Sequence, residues 1–290
     1  MIFIEKSNAM TPLNDYIFKR IFGRVGNESI TKNFINSILD TKIESINLEG
    51  NTILEKDIFD DKIGILDIKA KLDNHILCDI EMQVINYKNI AKRILFYWSK
   101  LYSSSIKSGQ NYNKLKKTIS ILIVNFELEN LSEIPKWHTE WKIREKNYSK
   151  IVLTDVFEVH IIELTKIKRL LKRCDLSNED KELAKWTKFL LNPKELGVKD
   201  MNENEELKKA KEEFDNLQND EYEQRMAELR QKHIMDSKAI EEYGYDKGLE
   251  EGEKNAKLAI AKKLFQKGKS IEEIIELTDL TEEDIKKILT

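Results

Sequence analysis

The 290-residue chain is highly charged, with 49 lysine and arginine residues against 52 aspartate and glutamate residues. Its net charge of -3 excludes a uniformly basic protein, so any contact with nucleic acid requires a local basic patch. No apolar run approaches the roughly 20 residues that cross a bilayer, and the first ten residues lack a signal-peptide pattern. Cys78 and Cys174 have neither zinc-site nor disulfide spacing. We therefore expect a cytoplasmic protein without a membrane anchor.

Two amphipathic helices are predicted at the start of the chain. Thr11 and Pro12 provide an N-cap and a first-turn proline for the first helix, which Gly23 ends. Apolar residues at three- and four-residue spacing predict a second helix from Glu28 to Leu39.

The next predicted element is an antiparallel hairpin over residues 63–84, where even-numbered positions are apolar and odd-numbered positions are mostly polar. Since a one-residue slip moves every side chain to the opposite face, the numbers of paired residues must sum to an even value. A three-residue loop at 73–75 meets this condition and places Asp67 directly opposite Glu81. A five-residue loop has the same parity and stays open.

Further helices and strands follow at short intervals. We predict a long helix over 87–108, a buried strand over 118–127 and one or two strands between 136 and 165. Ser177 caps a helix that runs to Leu191. This order of elements predicts a mixed α/β sheet domain.

Charge dominates the last third of the chain. We predict a domain over residues 10–195, a charged helical linker over 196–253 and a small helical tail over 254–290. The tail has a capping box at 270–273 and an N-cap at Thr281, as in a helix-turn-helix unit. Its last helix has an acidic start that would repel phosphates, which favours a packing module over a DNA reader.

The facing acids of the hairpin carry the candidate chemistry. Asp67 and Glu81, beside Gln83, offer the oxygen ligands that Mg²⁺ prefers, and such an ion serves phosphodiester hydrolysis. Lys69 lies on the same face and is placed to stabilise developing charge. An ordinary solvated sheet face with weak cross-strand ion pairs is the alternative that the pattern leaves open.

Other polar residues have plainer interpretations. Lys92, Arg93 and Lys100 form a basic side of the long helix, either a phosphate track or a common solvated face. The four histidines have no spacing that indicates a metal site; they are His75, His138, His160 and His233.

Segments along nearly the whole chain carry a family resemblance. They read NDYIFKRIFG, GILDIKA, CDIEMQV, RILFYWSKLY, SGQNYNKLKKTISILIVNF, IIELTK and YDKGLEEGEK. Together they resemble the recombination-promoting nuclease (Rpn) transposase family, part of the PD-(D/E)XK nuclease superfamily. The spacing of the two hairpin segments is the most specific part of this resemblance.

The resemblance implies a restriction-endonuclease-like αβββαβ core and a Mg²⁺-dependent DNA endonuclease, with Mn²⁺ as an alternative ion. Asp67 corresponds to the first metal-binding acid of the superfamily. Glu81 and Gln83 fall on its E-X-K segment, with glutamine in place of lysine, so the lysine role falls to Lys69 or to Gln83. Asp15 matches an acid of the family's first helix, either as a site residue or as an ordinary capping aspartate.

The resemblance also implies a biological setting, cleavage of DNA in recombination or transposition. The alternative function is a catalytically inactive, nuclease-derived scaffold that binds DNA or itself. Because double-strand cleavage needs two active sites or two events, we expect a homodimer formed through the C-terminal helical region.

Overall fold

A computed structural model describes residues 9–50, 67–86, 89–173 and 181–289. The chain divides into two compact units, the first ending at His233 and the second beginning at Ile234. Every helix within the described ranges is too short or too polar to span a bilayer.

A mixed sheet forms the centre of the first unit. Its strands are β1 (Ile46–Leu48), β2 (Ile68–Leu72), β3 (Ile76–Gln83), β4 (Thr118–Val124), β5 (His138–Trp141) and β6 (Phe157–Glu163). They lie in the order β1-β2-β3-β4-β6-β5. The central strands β3, β4 and β6 run parallel, and the outer pairs are antiparallel. The sheet with its helices confirms the predicted α/β class and the αβββαβ order.

Helices flank this sheet and form the C-terminal part of the chain. They are α1 (Asp15–Phe22), α2 (Glu28–Asn36), α3 (Ile90–Ser104), α4 (Leu164–Arg173), α5 (Lys181–Leu191), α6 (Val198–Glu203), α7 (Glu205–Gln218), α8 (Glu221–Gln266), α9 (Ile271–Thr278) and α10 (Glu282–Leu289). The predicted cap at Thr11 is wrong. Asn14 caps α1 instead, and its side chain accepts a hydrogen bond from the Tyr16 amide at 3.0 Å. Ser177 and Cys174 lie outside the described residues.

The β2–β3 hairpin has the predicted three-residue turn, with Leu72 paired to Ile76. The five-residue alternative is therefore wrong. Asp73 and Asn74 adopt left-handed φ angles of 49° and 61°, which aspartate and asparagine tolerate better than most residues.

The even-numbered side chains of β2 and β3 face the main apolar core. An aromatic cluster from α1, α2 and α5 fills this core, with neighbouring ring centroids such as those of Phe22 and Phe34 at 5.0 Å and those of Phe34 and Trp186 at 5.5 Å. Cys78 is a buried free thiol on this face.

The segment after residue 195 belongs to the first unit over much of its length. Leu207, Phe214 and Met226 are buried and join the main core. The sequence interpretation placed an exposed linker at 196–253 because charged residues outnumber apolar ones there. The few apolar residues nevertheless recur on one side of each helix, and packing that side extends the first unit to His233.

The second unit contains the predicted helical tail. The Ser270 hydroxyl accepts from the Glu273 amide at 3.2 Å, and the Glu273 carboxylate accepts from the Ser270 amide at 3.0 Å, which confirms the capping box. The Thr281 hydroxyl caps α10 in the same way. Apolar side chains close a small core between these helices, including Ala261, Ile274, Leu280 and Ile285.

Candidate active site

The polar row of β3 is buried, although the sequence pattern predicted only one buried face of the hairpin. Asp79 and Glu81 are each 6% exposed, and Asp67 and Gln83 are each 8% exposed. The reason is that α3 packs over this side of the sheet, where Ile94 joins an apolar cluster with residues of β4 and β6. A solvated sheet face, the alternative for this row, is therefore wrong.

The register brings acids and one lysine of the two strands together. Lys69 pairs with Asp79. Asp67 immediately precedes β2. Extending the register by one residue places Asp67 opposite Glu81, as the parity argument predicted.

Burial raises the pKa of each of the three acids. For Asp67, burial outweighs the opposing charges of Arg93 and Lys69. For Asp79, burial and then repulsion from Asp67 raise the pKa well above its ordinary value. Burial and the charge of Asp67 raise the pKa of Glu81 to about 7, although Arg93 opposes the shift. A cation near these acids would relieve their repulsion.

Arg93 is a site residue that sequence reasoning assigned only to a surface track. Its Nη2 donates to Oε1 of Glu81 at 3.0 Å, and its side chain is largely buried. Of the same predicted track, Lys92 is exposed to solvent and Lys100 lines a cavity at the acids. The available signal for Arg93 was its spacing of three residues from Ile90, a buried residue of α3, which places both side chains on one side of the helix.

A cavity of about 130 Å³ opens beside Asp67 and Asp79, with room for a few water molecules. Its other lining residues are Lys69, Tyr97, Lys100, Leu101 and Ser104. Next to it, Oδ1 of Asp79 and Oγ of Ser120 are buried without hydrogen-bond partners, and these two residues pair across β3 and β4. Buried oxygens without partners are costly, which indicates space for a bound water or cation.

Gln83 and Asp15 have other contacts. The Gln83 amide donates to the main-chain oxygen of Ile85 at 3.2 Å. Both carboxylate oxygens of Asp15 accept hydrogen bonds from Arg230, at distances between 2.6 and 3.0 Å. The charge of Asp15 still raises the pKa of Asp67. These contacts describe a structural ion pair between α1 and α8, and a catalytic role for Asp15 stays a prediction.

Two further charged groups near the acids were not predicted. Asp79 was not predicted as a member of the site, although the register sets it opposite Lys69. Lys19, one turn after Asp15 in α1, is buried, and its charge lowers the pKa of Asp67 and Asp79. Lys19 stands among apolar residues as a lysine does in any amphipathic helix, so nothing in the sequence indicated that it lies near the acids.

Histidine and acidic side chains also meet on β5 and β6, a grouping that sequence spacing did not show. In the described part of the chain, the ligand atoms of Glu140, Glu158 and His160 lie within 4.8 Å of one another. Lys117 contacts Glu158 at 2.7 Å, and Lys142 pairs with Glu140. Despite burial, hydrogen bonds from His160 and Lys117 lower the pKa of Glu158 to about 2. The two lysines already balance these acids, so a cation is not required there.

The acids of the hairpin contrast with this lysine-balanced group. Asp67, Asp79 and Glu81 do not all lie within 4.8 Å of one another, so a cation that contacts all three requires side-chain movement. The three acids nevertheless fit a hard divalent ion better than the lysine-balanced group does, because all their ligand atoms are oxygens and one Asp79 oxygen has no hydrogen-bond partner.

Comparison with known proteins adds one match. The family model described as PD-(D/E)XK nuclease family transposase matches residues 12–244, a range that includes every residue of the candidate site. No curated protein and no solved structure matches the chain.

Proposed function

The chain belongs to the PD-(D/E)XK nuclease family of transposases, and from this premise we propose that it hydrolyses DNA phosphodiester bonds at the acids of the β2–β3 hairpin. The observation that carries the proposal is the burial of Asp67, Asp79 and Glu81 on one sheet face, beside a cavity lined by two lysines. Buried acids that repel one another and have raised pKa values are typical of catalytic and metal-binding sites. They are not expected on a sheet face with only a structural role.

Asp67 and Glu81 would hold Mg²⁺, or Mn²⁺, through carboxylate oxygens. When bound, the ion polarises the scissile phosphate and lowers the pKa of an attacking water. The oxygen donor set and the unpartnered Asp79 oxygen support this assignment.

The side chains of the chain itself have distinct roles in this proposal. Lys69 and Lys100 line the cavity and stabilise the charge of the phosphate there. Arg93 orients Glu81 through its hydrogen bond and balances the charge of that carboxylate. Gln83, held by the main chain of Ile85, assists by positioning water.

Cleavage of supercoiled plasmid tests the proposal. We expect the purified full-length protein to nick plasmid with Mg²⁺ and to leave it intact with EDTA. Asp67→Asn is expected to reduce nicking to the EDTA level without loss of stability, because it removes one of the repelling buried charges. Asp40→Asn, at an exposed acid, is the matched control and should nick as the wild type does.

Two outcomes would contradict this function. Equal nicking by the wild type and Asp67→Asn would place the activity elsewhere, in another site or a contaminant. Salt-sensitive retention of DNA without cleavage, in either Mg²⁺ or Mn²⁺, would instead support a catalytically inactive DNA-binding scaffold.

The role of the superfamily lysine is expected to belong to Lys69. Lys69→Ala should lower the nicking rate about 100-fold, because it removes a charge that lines the cavity. Gln83→Ala should lower it less than about tenfold, because the Gln83 amide is engaged by a main-chain oxygen. Lys71→Ala is the control, since Lys71 is exposed and makes a surface ion pair. A larger loss for Gln83→Ala than for Lys69→Ala would reverse the assignment.

A further inference from the structure

Two basic segments meet at one edge of the sheet, where β4 and β6 begin side by side and Thr118 pairs with Phe157. Residues 107–117, before β4, contain four lysines and no acid. Residues 141–153, before β6, contain three lysines, one arginine and one glutamate. Both segments are thus strongly basic within a chain of net charge -3. Lys117 and Lys142 pair with Glu158 and Glu140, and the other basic residues carry the charge of this surface. We call these two segments together the basic edge.

The second segment of the basic edge is an ordered hairpin. The Glu145 amide donates to the Ile151 carbonyl at 3.0 Å, and the Leu153 amide donates to the Ile143 carbonyl at 3.1 Å. The Glu145 carboxylate accepts from the Tyr148 amide at 2.5 Å and so closes the turn. The one acid of the segment is therefore engaged by its own backbone. Lys146 and Lys150 are exposed to solvent, whereas Lys142 pairs with Glu140.

Exposed aromatic side chains accompany these charges. Tyr112 is 81% exposed, Tyr148 is 67% exposed and Trp141 is 40% exposed. Aromatic rings at a basic surface provide faces on which unpaired bases stack, while lysines contact the phosphates.

The basic edge also carries exposed apolar side chains. A second copy of the chain is the alternative partner that could cover them. Ile143, Ile151 and Leu153 share one face of the hairpin. Two copies that met through this face would bring two segments of charge +3 together, and that repulsion opposes association. Charge complementarity therefore favours a polyanion.

Strand register connects the basic edge to the candidate active site. Asp79 pairs with Ser120, Ser120 with Val159, and Val159 with Trp141. These residues form one row across the sheet, so three strand spacings separate Asp79 from Trp141, or about 14 Å. That distance corresponds to about four stacked nucleotides of one strand.

We propose that the basic edge binds single-stranded nucleic acid, with phosphates on its lysines and unpaired bases on Tyr112 and Tyr148. If the proposed nuclease function holds, on which this consequence rests, the substrate is DNA with a single-stranded stretch. That stretch lies within a few nucleotides of the scissile phosphate. Binding itself does not require cleavage, so the two proposals fail separately.

Fluorescence anisotropy with the full-length protein in EDTA tests the inference. The probes are a labelled oligothymidylate of about 20 nucleotides and a duplex of the same length. We expect the single strand to bind more tightly than the duplex. Tyr112→Ala and Tyr148→Ala should each weaken single-strand binding about tenfold. Lys146→Ala combined with Lys150→Ala should reduce the slope of log affinity against log salt by about 1.4.

The controls separate surface chemistry from folding. Tyr243→Ala removes an equally exposed tyrosine on α8 and should leave binding unchanged. Circular dichroism should show wild-type melting for all variants, because the substituted side chains are exposed. If the oligothymidylate binds and Tyr112→Ala weakens it while plasmid is never nicked, the basic edge stands and the nuclease proposal fails.

Two results would overturn the inference. Unchanged affinity of the oligothymidylate for the combined Tyr112→Ala and Tyr148→Ala variant would show that the rings do not stack on bases. Light scattering that shows a dimer abolished by Leu153→Ser, together with no oligothymidylate binding, would assign the basic edge to self-association.

Discussion

Arg230→Leu is expected to lower the free energy of unfolding by about 3 to 5 kcal/mol, because it leaves the Asp15 carboxylate buried without its partner. The guanidinium of Arg230 donates to both oxygens of Asp15, and both side chains are about nine-tenths buried. The pair joins residues 215 positions apart, the first residue of α1 and the tenth residue of α8. Urea denaturation followed by circular dichroism measures the loss.

A double variant and a surface control make this prediction specific. Asp15→Leu combined with Arg230→Leu should recover most of the stability, because neither charge then remains buried. Lys232→Leu, at an exposed position on the same helix, should change stability by less than about 0.5 kcal/mol. A loss below about 1 kcal/mol for Arg230→Leu would mean that the pair behaves as a surface ion pair.

The second large effect is a loss of stability as the pH rises in the absence of divalent cations. The pKa of Glu81 is about 7 in the folded protein, against an ordinary value of 4.5. The folded state therefore holds this proton more tightly than the unfolded state does. Its contribution is fully present below the ordinary pKa and is lost as the pH rises through about 7. From Glu81 alone the loss is about 3 kcal/mol.

Melting temperatures measured in EDTA from about pH 5 to about pH 8 check this prediction. Asp67 and Asp79 add to the loss, because their pKa values are raised as well. Mg²⁺ or Mn²⁺ should restore stability at the upper end of the range, where the carboxylates are ionised and available to bind it.

A charge-removing variant identifies the source of the effect. Asp67→Asn should reduce the dependence on pH, because it removes one acid of raised pKa and the strongest charge repulsion on Glu81, while the burial of Glu81 remains. It should also weaken the response to Mg²⁺. A wild-type protein equally stable at both ends of the range in EDTA would contradict the raised pKa values of the three buried acids.

Local sequence pattern was sufficient for much of the first unit. The alternation over residues 63–84 and the parity rule predicted the hairpin register, which the pairs from Ile68–Ile80 to Leu72–Ile76 confirm. Parity left a three- or a five-residue turn open, and the structure decided for three residues. The apolar run over residues 118–127 became the buried strand β4. These features depend on neighbours within a few residues or within one hairpin, where the period of the side chains reports which face is buried.

The tertiary structure decided which polar side chains are buried and what they contact. Period-2 alternation cannot show that α3 covers the polar row of β3, so the burial of Asp79 and the Arg93–Glu81 contact were not predictable from it. The Asp15–Arg230 pair was not predictable from local pattern either, and the same holds for the proximity of residues 107–117 to residues 141–153. Each depends on segments brought together by the order of strands in the sheet or by helix packing. The pKa values of the acids follow from that burial, so it is the packing around the hairpin that makes its acids a candidate site.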